Sequence, residues 1–401
     1  MVLLLSLVPV QAKDYLEYDE YYVHPLTGES INVYNWGEYI SDGSEGSLDI
    51  NAEFTRITGI KVNYTNFASN EDMYSKITKS TESYDVIIPS DYMIQRLKDE
   101  GYLQKINYDN IPNYKYISDK YKGLPYDPTD EYSVPYTVGM VGLIYNKRML
   151  LEKGFSEDEM PTSWETLWDK RLAGDILMFN NPRDAFAISL ALNCSYDDPN
   201  AEIDLNPTDV ETWEAAYEKL LEQKPYVSAY VMDEIFNKME NNNAIVAPYY
   251  AGDFLSMKDN NDDLEFVYPK EGVNYFVDAM CIPKNAKNKK AAELYINFML
   301  DPEIALANAE YICYASPHTE VINNPEYSLY QNEYLYSEDI KNDVFTDLPK
   351  ETLTTMANFW MLLKISGNDY TVHYICFAVV LLGIIALTVY RNHKRKKFDY
   401  D

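Results

Sequence analysis

The sequence predicts an α/β protein of two lobes joined by a hinge, followed by one C-terminal transmembrane helix. Three observations carry this expectation. Short apolar or alternating runs take turns with amphipathic helical segments, the pattern of crossover units around a parallel or mixed sheet. The 401 residues exceed one ordinary core and suit two lobes of roughly 100–150 residues each. The stretch Tyr374 to Tyr390, "YICFAVVLLGIIALTVY", is apolar for 17 residues and is followed at once by "RNHKRKK", in which five of seven positions are Lys or Arg.

Taken in order, residues 1–12, "MVLLLSLVPVQA", form a signal-like apolar segment that ends in Val10-Gln11-Ala12 but lacks a basic start. Residues 13–30 are acidic, have no clear period and read as a linker. "SINVYNW" alternates as a strand. "GSLDINAEFTRITG" places Leu48, Phe54 and Ile57 on one helical face, with Gly59 as the stop. "IKVNYTNF" is a second strand, and Asn70 is the expected cap of the helix "EDMYSKITKS". "YDVIIPS" is a continuous apolar strand of the kind covered on both faces. "YMIQRLKDEGYLQKI" reads as a helix, a glycine stop and a short strand.

A second set of units begins near "YSVPYTVGMVGLIYNKRML", a strand carrying two glycines. "PTSWETLWD" has a capped helical start, and "GDILMFNNPRDAFAISLALN" is strand, turn and helix. "DVETWEAAYEKLLEQK" is an amphipathic helix. "AIVAPYY", "LEFVYPKEG" and "NYFVDAMCIP" are strands, and Asp301-Pro302 joins a final helical pair. The chain is expected to cross between lobes near Tyr136–Gly139 and Gly272–Val277. One lobe then comprises 31–136 and 278–320, the other 137–277 and 321–366. Residues 372–390 approach the ~20 residues that span a bilayer. The basic tail, 391–401, places that side in the cytoplasm. The lobes are therefore expected outside the cell membrane, on its extracellular or periplasmic side.

Lys plus Arg number 34 against 64 acids, a formal net charge of −30. That balance excludes the basic surface that nucleic acid needs and suits a cationic partner. The four cysteines and four histidines form no cluster with zinc spacing, so neither metal nor cofactor is implied.

Several stretches share one design, an aromatic or polar residue at the end of a strand and then a helix start. They are "YNWGEY", "IIPSDY", "MFNNPRD", "APYYAG" and "YFVDAM". Ligands of open α/β sheets bind beyond such strand ends. The pooled candidates are Trp36, Tyr39, Ser90, Tyr92, Asp184, Tyr249, Phe276 and Asp278. Ring faces attract ammonium groups by about 0.5–2 kcal/mol each, and a buried carboxylate is costly unless paired. An alkyl chain bearing primary ammonium groups satisfies both.

The motifs "YNWGEYI", "EFTRITGIKVNY", "SNEDMYSKI", "YDVIIPSDYMIQRLKDEGYLQKI", "YSVPYTVGMVGLIYN", "PTSWETLWD", "YPKEGVNYFVDAMCIPKNAKNKKAAELYINFML" and "YASP" run in order from about Ile31 to Ile365. In this series the chain resembles the bacterial spermidine/putrescine-binding proteins, receptors of polyamine ABC transporters with the periplasmic-binding-protein fold. The resemblance implies reversible capture of a polyamine between the lobes, without chemistry, and delivery to permease subunits driven by a cytoplasmic ATPase. It implies ligand roles for Trp36, Tyr39, Ser90, Tyr92, Asp184, Tyr249, Phe276 and Asp278, and adds Asn181 and Tyr314. A late glutamine of the family falls near Met361. Asn181 stands where the family has an acid, and Tyr249 and Phe276 where it has tryptophans, which bears on the choice among polyamines. Tyr249-Tyr250 is also similar to a tyrosine pair used for iron, so a ferric-iron receptor of the same fold is the alternative. A hydrolase using Asp184 and Asp278 is a third reading, without a nucleophile elbow, metal motif or phosphate loop to support it.

Overall fold

The alternating run that opens the ordered region forms β1 (Ser30–Trp36), with Ile31 and Val33 fully buried. The computed structural model describes residues 29–366 apart from 198–201, 330, 331, 333, 336 and 338. The signal-like segment, all but the last two linker residues, the span at 372–390 and the tail at 391–401 lie outside the described residues. Among the described residues no helix is long and apolar enough to cross a membrane.

α1 (Ile50–Thr58) starts at Asp49, whose carboxylate accepts from the Ala52 amide. It stops at Gly59, whose φ of 71° is a left-handed conformation that glycine adopts without strain. β2 (Lys61–Phe67) pairs parallel with β1. α2 (Asn70–Lys79) is capped by Ser69 and not, as expected, by Asn70. The Asn70 side chain instead accepts from the Ser90 amide at 3.2 Å and donates to the Ser90 hydroxyl at 3.0 Å. β3 (Val86–Ile87) and α3 (Asp91–Asp99) complete the series. In place of the strand expected after Gly101, Leu103 makes an isolated bridge to Pro283.

β4 (Ser133–Asn146) then leads to α4 (Lys147–Glu152), β5 (Ile176–Phe179), α5 (Pro182–Asp197) and α6 (Val210–Gln223). β6 (Val227–Val231), α7 (Glu234–Glu240), β7 (Val246–Tyr250), α8 (Ala251–Asn260) and β8 (Leu264–Val267) follow. The chain returns through β9 (Val273–Cys281), α9 (Lys289–Met299) and α10 (Pro302–Ile312). It ends in α11 (Thr319–Ile322), β10 (Asn342–Val344) and α12 (Lys350–Ile365). Asp301 caps α10 and Pro302 occupies its first turn, where a missing amide hydrogen costs nothing.

The sheet is mixed, in the order β2-β1-β3-β9-β4-β7-β5-β6, with β10 on β9 and β8 on β4. β4 and β9 are antiparallel from Ser133–Cys281 to Met140–Tyr275, with an irregularity between Pro135 and Thr137. Proline cannot donate to a ladder, so a bulge is where it is tolerated. From Val141 onward β4 pairs with β7 and β8 instead. The expected crossings near Tyr136–Gly139 and Gly272–Val277 fall in or beside this strand pair. β4 and β9 thus join the parallel strands β2-β1-β3 to the parallel strands β7-β5-β6.

Two strands escaped the sequence reading. β6 is a half-exposed edge strand, and β10 is three residues long with two polar positions. "PTSWETLWD" forms a 3-10 turn, Trp164–Trp168, in place of a longer helix. Tertiary packing decides this: Trp164 is buried and its indole N–H donates to the Gly272 carbonyl at 2.9 Å. Trp164→Ala is expected to cost about 3–5 kcal/mol in urea unfolding, from the cavity left behind. Met361→Ala, on an exposed turn of α12, should stay within about 0.5 kcal/mol of the parent.

Candidate ligand-binding site

Parallel strand ends from both halves of the sheet open onto one cavity. Trp36, Tyr39, Ser90, Tyr92, Asn181, Asp184, Tyr249, Phe276, Asp278 and Tyr314, the residues expected from the sequence, all line it. It encloses about 640 Å³ of atom-free space, its mouth included.

The crowded turn after β1 has a physical reason. The Trp36 indole N–H donates to the Ile88 carbonyl at 2.9 Å, and its ring leans on Phe67 at 4.5 Å. A Cβ at position 37 would stand 2.5 Å from an Asp233 oxygen. Glycine is therefore what lets the loop after β6 approach so closely. Glu38 adopts φ 48°, a left-handed conformation uncommon outside glycine. The reversal sends Tyr39 inward, where its hydroxyl donates to Asp278 Oδ2 at 2.8 Å and also meets the Thr137 hydroxyl.

Asp278 is 3% exposed. Its second oxygen, Oδ1, is shielded from solvent and has no hydrogen-bond partner. Burial pushes its carboxyl up to about 6, with the nearby Ser90 and Tyr39 hydroxyls pulling the other way. Ser90 stands at the cap position of α3 but makes no capping bond with its side chain. Its place is in the wall.

On the other side Asn181 opens α5, and its carbonyl oxygen accepts from the Arg183 amide at 2.9 Å. Its side-chain amide donates to Asp184 Oδ2 at 2.7 Å, and the Tyr250 hydroxyl donates to the same oxygen at 3.1 Å. Burial raises the Asp184 carboxyl to about 7, opposed by Tyr250. Asp253, in the first turn of α8, is raised to about 8 by burial, opposed by the Tyr314 hydroxyl.

Rings meet edge to face around these acids: Tyr39 with Tyr314 at 4.8 Å, Tyr250 with Phe276 at 5.5 Å, and Tyr92 with Phe345 at 5.8 Å. Two rings rest on bare backbone. A Cβ at Gly139 would be 2.4 Å from the Phe276 ring, and one at Gly252 would be 2.4 Å from the Tyr314 ring.

The cavity is also lined by Gly37, Asn70, Met232, Asp233, Tyr250, Asp253, Asn274 and Phe345, which sequence reasoning did not include in the site. For some a signal existed. Asn274 shares the period-two face of Phe276 and Asp278, and Asp253 follows a strand end one helical turn on. Tyr250 was weighed only as part of an iron pair. Its hydroxyl is bonded to Asp184, whereas Tyr249 stacks on Phe179 at 5.5 Å. Met361, near which the family resemblance places a late glutamine, is 56% exposed on α12 and does not line the cavity. Phe345, just after β10, lines the cavity.

Residues 49–334 match the family described as bacterial extracellular solute-binding protein. The spermidine/putrescine-binding periplasmic protein of Salmonella typhimurium is 32% identical over 296 residues, covering 74% of this chain and 79% of the relative. Its Escherichia coli K12 counterpart is 31% identical over 322 residues, covering 80% and 87%. Among solved structures, the spermidine/putrescine ABC transporter substrate-binding protein of Streptococcus pneumoniae superposes with a TM-score of 0.67 at 31% identity, over 84% of this chain and 99% of that one.

Raised carboxyl pKa values make the empty fold sensitive to base. Their stabilisation is complete below about pH 4, where both folded and unfolded forms are protonated. It is lost as pH rises through the folded values of about 6, 7 and 8 for Asp278, Asp184 and Asp253. The thermal unfolding midpoint of the empty protein should therefore fall from pH 5 to pH 8. Asp278→Asn should flatten part of that slope, and an unchanged slope would count against the buried-charge assignment.

Proposed function

The chain belongs to the bacterial extracellular solute-binding protein family, and from that premise we propose that it is the substrate-binding component of a polyamine ABC transporter. The observation that carries the reading is the partnerless Asp278 Oδ1, buried in a wall of rings. A carboxylate in that position calls for a cation, and a primary ammonium supplies one with hydrogens to donate. The rings of Trp36, Phe276, Tyr250 and Tyr314 suit both the charge and the methylenes of an aliphatic amine. Asp184 and Asp253 are further counter-charges, and Asn181 makes its end of the slot less anionic than a second acid would. Tyr39 orients Asp278, while Ser90, Tyr92 and Tyr249 complete the walls.

In this reading the protein is a carrier and not an enzyme. Ligand contacts from both lobes, 31–136 with 278–320 and 137–277 with 321–366, favour the closed arrangement, which permease subunits recognise. Residues 372–390 are the tether, crossing the cell membrane with the basic tail in the cytoplasm and the lobes outside. The ferric-iron alternative is weaker, because the Tyr250 hydroxyl is committed to Asp184 and the similar proteins above carry polyamine names.

Calorimetric titration of the purified chain with putrescine, cadaverine, spermidine and spermine tests the proposal. At least one amine should bind, and Asp278→Ala and Trp36→Ala should each weaken it by more than about tenfold, the loss of one charge-assisted bond or ring contact. Affinity should rise from pH 6 to pH 8 as the acids ionise. Absence of binding by all four amines would sink the reading. Gly139→Ala, which forces Phe276 into the slot, should also weaken binding without contacting the ligand.

A further inference from the structure

Two charged groups near the cavity, Arg183 buried and Glu71 partly buried, lack bonds that their shielded atoms could make. Glu71, on α2, accepts from the Tyr92 hydroxyl at 3.0 Å through Oε1. Its other oxygen, Oε2, is shielded from solvent and has no hydrogen-bond partner. Arg183, in the first turn of α5, is 2% exposed. Its Nη2 donates to Asn206 Oδ1 at 2.5 Å and to the Thr346 carbonyl at 3.2 Å. Its Nε and Nη1 are shielded and without a partner.

Both groups frame the same rings. The guanidinium carbon lies 4.4 Å from the centre of Phe345 and 5.7 Å from the centre of Tyr92. Those two rings line the cavity, whereas Glu71 and Arg183 do not. Tyr92 is thus held at its hydroxyl by one charge and covered by the other. α2 packs on β2 and α3, and α5 packs on β5 and α6, so the two charges belong to opposite halves of the sheet. A buried charge without its counter-ion is costly. Glu71 is also among the groups whose charge counters the lowering of the Arg183 pKa by burial.

We propose that Glu71 and Arg183 are positioning residues for ligand capture: as the lobes close, Glu71 Oε2 and the free N–H groups of Arg183 meet in an ion pair that fixes the Tyr92–Phe345 wall. This rests on the polyamine-carrier reading. In the carrier reading the two halves move relative to each other, so the pair's energy adds to the closed state only. It therefore raises ligand affinity without touching the ligand. A merely structural pair would stabilise the empty protein equally.

The test is a double-mutant cycle on the full chain with Glu71→Gln, Arg183→Met and the double variant. Putrescine and spermidine affinity is measured by calorimetry, and the empty protein by thermal unfolding. Each single change should weaken binding by about tenfold, and the double should be no worse than the weaker single, as for groups in contact. In the empty protein the two effects should add. Arg183→Lys, which keeps a charge, should recover part of the affinity, and it replaces Arg183→Met in the cycle if that variant does not fold. Additive losses in binding, or equal coupling in the empty protein, would overturn the inference alone. A parent that titrates with no amine would overturn the carrier reading and this inference together.

Discussion

An ionised carboxylate with one oxygen bonded and the other without a hydrogen-bond partner is costly inside a protein. At Asp278 the fold keeps such a group behind aromatic walls. Tyr39 satisfies one oxygen and fixes the orientation of the group. The cost of the other oxygen falls on whatever state lacks a cation. Much of the surrounding architecture is intelligible as support for that one deficit. The rings wall it in, and the turn at Gly37 and Glu38 delivers Tyr39 to its place.

Of the strand pair that joins the two halves of the sheet, β9 also lines the cavity. Asn274, Phe276 and Asp278 lie on β9, Asp278 opposite Thr137 and Phe276 opposite Gly139 of β4, and Asn274 beside Asp343 of β10. The cavity is therefore built partly on the strand that joins the two halves of the sheet. In the proposed carrier, bending β4 against β9 would move the Asp278 carboxylate relative to the strand ends around it, coupling binding to closure without a relay of side chains.

Much of this was legible in the sequence. Strand ends followed by helix starts are local patterns, so Trp36, Tyr39, Ser90, Tyr92, Asp184, Tyr249, Phe276 and Asp278 could be found from them. Asn181 and Tyr314 came from the family resemblance. What failed depends on geometry that a linear reading lacks. Tyr249 and Tyr250 are adjacent, and only the turn from β7 into α8 decides which hydroxyl reaches Asp184. Phe345 follows a three-residue strand without periodicity. Asp233 follows β6, an edge strand too exposed to announce itself. Asn70 looked like a cap because its neighbour Ser69 is an equally good one.

The bare backbone beneath Phe276 and Tyr314 has a consequence for how such a receptor diversifies. Each ring is seated by a residue that has no side chain of its own. The shape of the slot is thus set partly by positions hidden one layer behind it. A single methyl group gained at either seat would re-aim an aromatic face while every contacting residue kept its identity. Selectivity could drift, or be engineered, through sites that a catalogue of contact residues would leave out.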